Sequence, residues 1–430
     1  MPAIPGASES ASKNPAPDRL RWTILGLLFS ITAINFIDRQ TLSILAPKLK
    51  ESVHFSSTEY GRIVACFQLG MMTAEFPMGM LMDRLGARFG FSFAVLWWSL
   101  ATGLHAAARS VWSFAVLRFW MGTGECGNFS GGMKVVTRWF PEGERTLAIG
   151  VFNGGTMIGS VLAPPLIVAL NQRFGWRAAF LVPAAFGIAW VICWRRIYRL
   201  PAAEERAGPG DEPPSLRSLE LLRYPQTWAL MLCRFLAGPV MQFYWYWMPD
   251  YLYSVRGMSL VAIGAFSWLP YLLGDAGSIG GGLAAGRLLS KGFTRSSARR
   301  ITLGFGSVCC LGSLAVVAAP SAAWAIAIIG IVLFGYTFYS ANFLASISDL
   351  FPATAVGRVT GLTGVSGGLG GILFPLLTGY LVDHSSYAPA FTIAALLPLL
   401  GMGALFLLAP GLTPVAASSV RATTESTAAS

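Results

Sequence analysis

Residues 31–47, ITAINFIDRQTLSILAP, and residues 114–129, FAVLRFWMGTGECGNF, decide how this chain folds and point to what it does. Both sit in apolar runs long enough to cross a bilayer, yet they carry Asp38, Arg39, Arg118 and Glu125. A charge at the centre of a membrane helix costs about 2.5 kcal/mol or more unless it finds a partner or water, so such residues are candidates for function. Asp38 and Arg39 come about two-thirds along the first run. As helical neighbours they point about 100° apart and cannot share one partner. Arg118 and Glu125 are seven residues apart, two helical turns, so they share a face at depths roughly 10 Å apart. A carboxylate can carry a proton and an arginine can hold an anion. Together the four charges point to a proton-coupled carrier of carboxylate substrates.

The rest of the chain agrees with a membrane setting. Of 430 residues, 54% are hydrophobic and only 12% charged, about half the charge content of a soluble domain. Twelve apolar stretches reach spanning length, near 20–46, 59–80, 88–108, 111–137, 146–170, 177–198, 227–252, 260–289, 300–319, 321–349, 356–382 and 387–409. Little is left over for a soluble catalytic domain. The expected fold is an all-α membrane protein of twelve transmembrane helices.

A net charge of +11 could indicate nucleic-acid binding, but its distribution argues against that. With the N-terminus inside, most of the 31 lysines and arginines fall on the cytoplasmic side. They include Arg84, Arg88, Arg138, Arg145 and the clusters at 195–223 and 287–300. Lys48, Lys50, Arg62, Arg109, Arg173, Arg177 and Arg256 fall outside. This positive-inside asymmetry predicts both termini in the cytoplasm and makes the bilayer, not nucleic acid, the partner.

Cys66, Cys126, Cys193, Cys233, Cys309 and Cys310 lie in or at the edges of apolar runs with no metal-ligand or disulfide spacing. They read as small core residues, and no metal site is expected. The first twenty residues are polar and lack an apolar core of their own, so the first span should anchor the chain itself.

Residues 199–226 form the longest polar interval and divide the spans six and six. Pro, Gly and paired acids make it a cytoplasmic linker between bundles at 20–198 and 227–410, with tails at 1–19 and 411–430. The two halves echo each other. Phe140, Pro141, Gly150, Gly159 and Pro164 match Phe351, Pro352, Gly361, Gly370 and Pro375 at one constant offset, and Gly79–Arg84 echoes Gly282–Arg287. Parallel repeats of this kind predict two pseudo-symmetric six-helix bundles.

Against that background, GMLMDRLGARFG (79–90) resembles the loop between helices 2 and 3 of the major facilitator superfamily. Residues 35–49, NFIDRQTLSILAPKL, the run at 118–145 and SISDLFPATAVGR (346–358) are similar to the anion:cation symporter family within it. Residues 243–282 and ANFLASISDLFP (341–352) resemble bacterial hexuronate and related sugar-acid transporters. The similarity runs through nearly all the spans. It implies a multi-pass protein of the bacterial inner membrane, working as a monomer, with a small organic anion as its substrate.

The resemblance assigns Arg39 as a substrate-anion ligand and Asp38 as a proton-linked switch, with corresponding roles for Arg118 and Glu125. Protonation of Glu125 and Asp38 would free arginines for the substrate carboxylate, and deprotonation on the cytoplasmic side would release it. Glu75 stands where glutamine is usual; a third titrating group and a partner for a basic residue are both open readings. Asp275 is a candidate acceptor from sugar hydroxyls. Arg234 falls near the start of its span and reads as a snorkelling cation. Gln68, Asn153, Thr156, Tyr244, Trp245 and Asn342 could supply hydrogen bonds and a stacking face for a polyol. Thr156 replaces the glutamine of some relatives. Asp83, Arg84, Arg88, Glu142 and Arg145 would form a cytoplasmic gate of interdomain salt bridges.

An enzyme is disfavoured. His54, His105 and His384 fall in or near expected outer loops, and no nucleophile–base pair or metal cluster lies at membrane depth. No cofactor is implied; the energy source is an ion gradient, protons on the strength of the carboxylates, with sodium left open. A hexuronate leads the substrate classes, followed by aldonates, aldarates and aromatic acids. A sensor without flux is the alternative from another class.

Overall fold

A computed structural model describes residues 18–199 and 220–415. Most of the expected linker and of both tails therefore lies outside the described residues. Those described are helical throughout, as they must be where no water satisfies backbone N–H and C=O groups. Before the linker come α1 (Asp18–Val53), α2 (Ser57–Leu104), α3 (Val111–Glu125), α4 (Gly127–Trp139), α5 (Glu142–Phe174) and α6 (Ala178–Ile197). After it come α7 (Pro225–Ala237), α8 (Pro239–Ser254), α9 (Leu260–Phe266), α10 (Leu269–Ser290) and α11 (Arg295–Cys310). The chain continues with α12 (Ser313–Val316), α13 (Ala322–Leu350), α14 (Ala353–His384) and α15 (Tyr387–Leu408). Hydroxyl caps start several of them. Ser56 accepts from the Glu59 N–H of α2, and Thr294 and Ser321 do the same for α11 and α13.

Among the described residues, eight helical stretches are long and apolar enough to cross a membrane. Local breaks separate this number from the twelve apolar runs of the sequence. Helix α2 covers two of the expected runs and kinks between them at Gly86, within the turn expected at 81–87, where a φ of 69° favours glycine. The run at 111–137 is divided at Cys126, between α3 and α4, and the run at 227–252 at Gly238, between α7 and α8. One expectation is corrected here: Cys193 is exposed on α6 and is not a core residue.

The sequence echo has a structural counterpart. Helices α5 and α14 begin at the same offset as the echoed residues, each after an extended proline, Pro141 and Pro352. A methyl on Gly159 would stand 2.5 Å from the Ala33 carbonyl of α1, and one on Gly370 would stand 2.5 Å from the Phe235 carbonyl of α7. The repeated glycine is therefore a repeated helix contact.

One end of the molecule is where α1 and α7 begin (the near end); the other is where α1 and α8 finish (the far end). The far end is stitched across the two halves. Lys50 Nζ donates to Asp250 Oδ2 at 2.7 Å, and the Tyr387 hydroxyl donates to the same carboxylate. Asp383, on α14, accepts the Ser57 and Thr58 N–H groups at 2.9 and 2.7 Å, capping the positive end of α2. Tyr60 donates to the Tyr246 carbonyl at 2.7 Å. One hydrophobic core runs through both halves here, whereas a second core towards the near end belongs to the C-terminal half alone. The halves are thus joined at the far end.

Helices α2 and α14 touch there through bare backbone. A methyl on Gly61 would come within 2.4 Å of the Pro375 carbonyl, and one on Gly379 within 2.4 Å of the Ser57 carbonyl. Gly379→Val is expected to hold the far end open. Maleimide should then label a single cysteine at buried Tyr246 at least tenfold faster than in the Gly379 background.

Candidate functional site

A cavity of about 340 Å³ lies between the halves, walled by α1, α5, α7, α8, α10 and α13. A smaller one of about 160 Å³ lies beside it, between α2, α7, α8 and α14. They share Arg234, Gly238 and Gln242, so Arg234 stands at the junction of both spaces. Its position follows from the break between α7 and α8. Arg234 occupies the last turn of α7, where the helix dipole favours a cation. Pro239 has no N–H to offer Phe235, whose carbonyl instead meets Gly370 of α14. Gly367 leaves room for the arginine stem: a methyl there would lie 3.0 Å from Cγ. Among the described residues no hydrogen bond or ion pair engages the Arg234 guanidinium, which lies 5.8 Å from the Phe343 ring centroid.

This corrects the snorkelling assignment. The residue is not reaching out to the membrane surface; it faces the space between the halves. The available signal was Gly238–Pro239, a helix-breaking pair inside an apolar run, which is where carriers place binding sites.

Several expected ligands line these spaces. Asp275 and Trp245 face the larger cavity, and Asp275 has no hydrogen-bond partner among the described residues. Trp245 packs edge-on against Phe36, with centroids 5.8 Å apart. Thr156 lines the same cavity and donates to the Asn153 carbonyl at 2.8 Å. Asn153 itself is exposed one turn nearer the near end, outside the cavity wall. Gln68 lines the smaller cavity with Glu75, bringing Glu75 and Arg234 to one space. Gln68 and Gln242 converge over Gly371, where a methyl would meet both amides within 2.8 Å. Gln242 and Tyr271 escaped the sequence reading. Each keeps a buried oxygen without a partner in the protein, Oε1 and the hydroxyl.

Two expected ligands point elsewhere. Tyr244 is fully buried away from the cavities and hydrogen-bonds Ser313 Oγ at 2.6 Å. Asn342 accepts from Arg299 at 2.8 Å and donates to the Gly281 and Phe338 carbonyls at 3.2 and 2.9 Å. Both are occupied with holding helices together. Tyr244→Phe is accordingly expected to leave substrate affinity within about twofold while costing about 1 kcal/mol of stability, as read by binding and thermal melting.

The four membrane charges form one buried group, paired differently from their spacing. Arg39, not Arg118, holds Glu125: Nε and Nη2 donate to Oε2 at 3.1 and 2.9 Å. Arg118, two turns from Glu125 on the same helix, instead reaches the Arg39 carbonyl at 3.4 Å and leaves Nε and Nη2 without partners. Asp38 is completely buried with neither carboxyl oxygen hydrogen-bonded. Ionised in that position it would have no hydrogen bond, with only the nearby charge of Arg118 to offset its burial. The Arg39 guanidinium lies 4.9 Å from the Phe36 ring centroid, and Phe36 is part of the cavity wall. The ion pair therefore sits one side chain behind the cavity.

Asp83, Arg88 and Arg145 each make contacts within the N-terminal half. Lys134 pairs with Asp83; Arg88 donates to the Arg195 carbonyl at 2.7 Å; Arg145 donates to the Phe140 and Thr137 carbonyls at 3.0 and 3.1 Å. Arg84 is exposed, and the Glu142 side chain lies outside the described residues. His105, expected near an outer loop, is fully buried and stacked on Phe180. Among the described residues no cluster of three or more His, Cys, Asp or Glu could hold a metal ion.

The family model of the Major Facilitator Superfamily matches residues 28–375, with a second match over 334–429. The chain belongs to the Major Facilitator Superfamily. This is a family of membrane transporters rather than enzymes. Sugar-acid transporters are among the relatives of the chain. A hexuronate transporter of Escherichia coli (strain K12) is 29% identical over 399 residues, covering 89% of this chain and 92% of the relative. A galacturonate transporter of Dickeya chrysanthemi is 31% identical over 278 residues, or 61% and 81% of the two chains. A D-galactonate transporter of Escherichia coli O6:H1 is 26% identical over 410 residues, or 90% and 94%. Among solved structures, a bacterial homolog of the human lysosomal transporter Spinster, inward-facing and occupied, superposes with a TM-score of 0.76 at 19% identity. That alignment covers 91% of this chain and 97% of the other. The chain thus shares its fold with that transporter.

Proposed function

We propose that this protein is a proton-coupled symporter that imports a sugar-acid monocarboxylate, a hexuronate such as galacturonate or glucuronate, by alternating access. The observation that carries the reading is the unpaired Arg234 in a cavity that also presents the unpaired Asp275, with Trp245 and Tyr271 in its wall. A guanidinium binds a carboxylate through two parallel hydrogen bonds. A carboxylate on the other side accepts from hydroxyls, and an aromatic face stacks on the sugar ring. The hexuronate and galacturonate transporters among the relatives are named for acids of this kind.

Coupling falls to the buried group behind Phe36. Protonation of Glu125 removes the charge that holds Arg39, and Arg39 can then add its field, or a contact, to the substrate carboxylate. Asp38, buried without hydrogen bonds, is the second proton site. Deprotonation at the higher internal pH restores the Arg39–Glu125 pair and weakens binding. Arg118 positions this group through the Arg39 carbonyl.

The breaks within the long helices fit twelve passes, six in each bundle, since α2 supplies two and α3–α4, α7–α8, α9–α10 and α11–α12 each make one. With both termini in the cytoplasm of a bacterial inner membrane, a sealed far end is the inward-facing state. The gate at Asp83, Arg84, Arg88, Glu142 and Arg145 would close across the halves when the carrier turns outward.

An aldonate is the second reading, favoured by the galactonate transporter among the relatives. Uptake of labelled galacturonate and glucuronate into proteoliposomes under an inward proton gradient tests the proposal, with galactonate as competitor. Accumulation that collapses with a protonophore supports it. Accumulation indifferent to the protonophore removes proton coupling. Uptake of galactonate alone gives the aldonate reading, and uptake of none of the three, by folded protein, ends the sugar-acid assignment.

A further inference from the structure

The opposite face of α10 from Asp275 carries a second, unrelated opening. Ala284 is nine residues, two and a half turns, beyond Asp275, so it points away from the substrate cavity. With α11 and α13 it borders a groove of about 430 Å³ floored by Phe305, Phe334 and Phe338. The rings pack against one another, Phe305 and Phe334 lying 4.9 and 6.0 Å from Phe338, and Phe305 is half exposed. Arg287 and Lys291 stand at the rim, one turn apart at the near end of α10. Neither has a hydrogen-bond or ion-pair partner for its side chain among the described residues. The acid nearby on α13, Asp349, is taken by Arg299 at 2.8 Å.

We propose that this groove is a binding site for one anionic phospholipid, with the phosphate between Arg287 and Lys291 and an acyl chain over the three phenylalanines. An apolar floor alone would not select a lipid, because an acyl chain gains nothing by leaving other acyl chains. Selection must come from the headgroup. Two uncompensated cations at headgroup level favour a net-negative lipid over a zwitterionic one, by roughly fivefold for each cation. The concave floor is what distinguishes this place from the other basic positions along the near end: it holds the chain while the cations hold the phosphate. A free phosphate ester would use the cations but not the floor.

The test uses the full chain extracted from vesicles of equal phosphatidylglycerol and phosphatidylethanolamine, with retained lipid read by native mass spectrometry. Phosphatidylglycerol should be retained with a preference of roughly tenfold or more. The double variant Arg287→Gln/Lys291→Gln should lose that preference. Ala284→Trp, which keeps both cations and fills the floor, should lose the bound lipid as well. Millimolar glycerol 3-phosphate should displace nothing. Equal retention of the two lipids by the unmodified protein would overturn the proposal, as would an unchanged preference in the double variant. Displacement by glycerol 3-phosphate would reduce the site to a surface anion site and overturn it too. If the double variant does not fold, Ala284→Trp decides alone: lipid still retained by that variant sinks the groove as the site.

Discussion

Arg234→Ala is expected to weaken substrate binding between about 10- and 150-fold, the loss of one charge-assisted contact of about 1.5–3 kcal/mol. The fold should survive. Arg234 has no protein partner among the described residues, so its removal leaves no group stranded, and it borders open space on two sides. Arg234→Lys should recover only part of the affinity, because an ammonium cannot repeat the planar two-point contact with a carboxylate. Calorimetric titration of the purified protein with galacturonate reads both. Wild-type affinity in the alanine variant would return Arg234 to a structural role and leave Arg39 and Arg118 as the anion ligands.

Glu125→Gln separates binding from coupling. The substitution removes the proton site and the negative charge, while the amide oxygen can still accept from Arg39. Exchange of substrate across the membrane should continue, and gradient-driven accumulation should fall to the equilibrium level. The contrast lies in Arg39→Ala, which leaves Glu125 buried with no cation on it. Removing one member of a buried pair costs about 3–5 kcal/mol, so this variant should lose stability together with binding. Counterflow and accumulation assays on the same proteoliposomes distinguish the two. Full accumulation by Glu125→Gln would take Glu125 out of the coupling step.

Much of this arrangement was open to a reader of the chain. Asp38, Arg39, Arg118 and Glu125 stood out because each breaks an apolar run, and the structure gathers all four into one buried group. Asp275 and Trp245 line the larger cavity. Spacing along one helix was a poorer guide to partners. It placed Arg118 and Glu125 on the same face, but two turns separate their depths, and Arg39 from α1 arrives closer. Tyr244 and Asn342 were equally plausible ligands by residue type. Which face of α8 or α13 turns inward depends on neighbours that the local sequence does not name, and Ser313 and Arg299 had already claimed them.

Composition and periodicity by themselves determined the membrane setting, the helical class, the internal repeat and the presence of costly buried charges. These follow from local physics: backbone in lipid must bond to itself, and a charge there must have a reason. Tertiary structure alone decided that Arg234 faces the space between the halves, that Glu125 belongs to Arg39, and that the halves are joined at the far end. Each of these depends on a contact between residues far apart in sequence, such as Gly370 on the Phe235 carbonyl or Asp383 on the first turn of α2. Such contacts are settled by which helices can approach closely enough to touch, and that is a property of the assembled bundle.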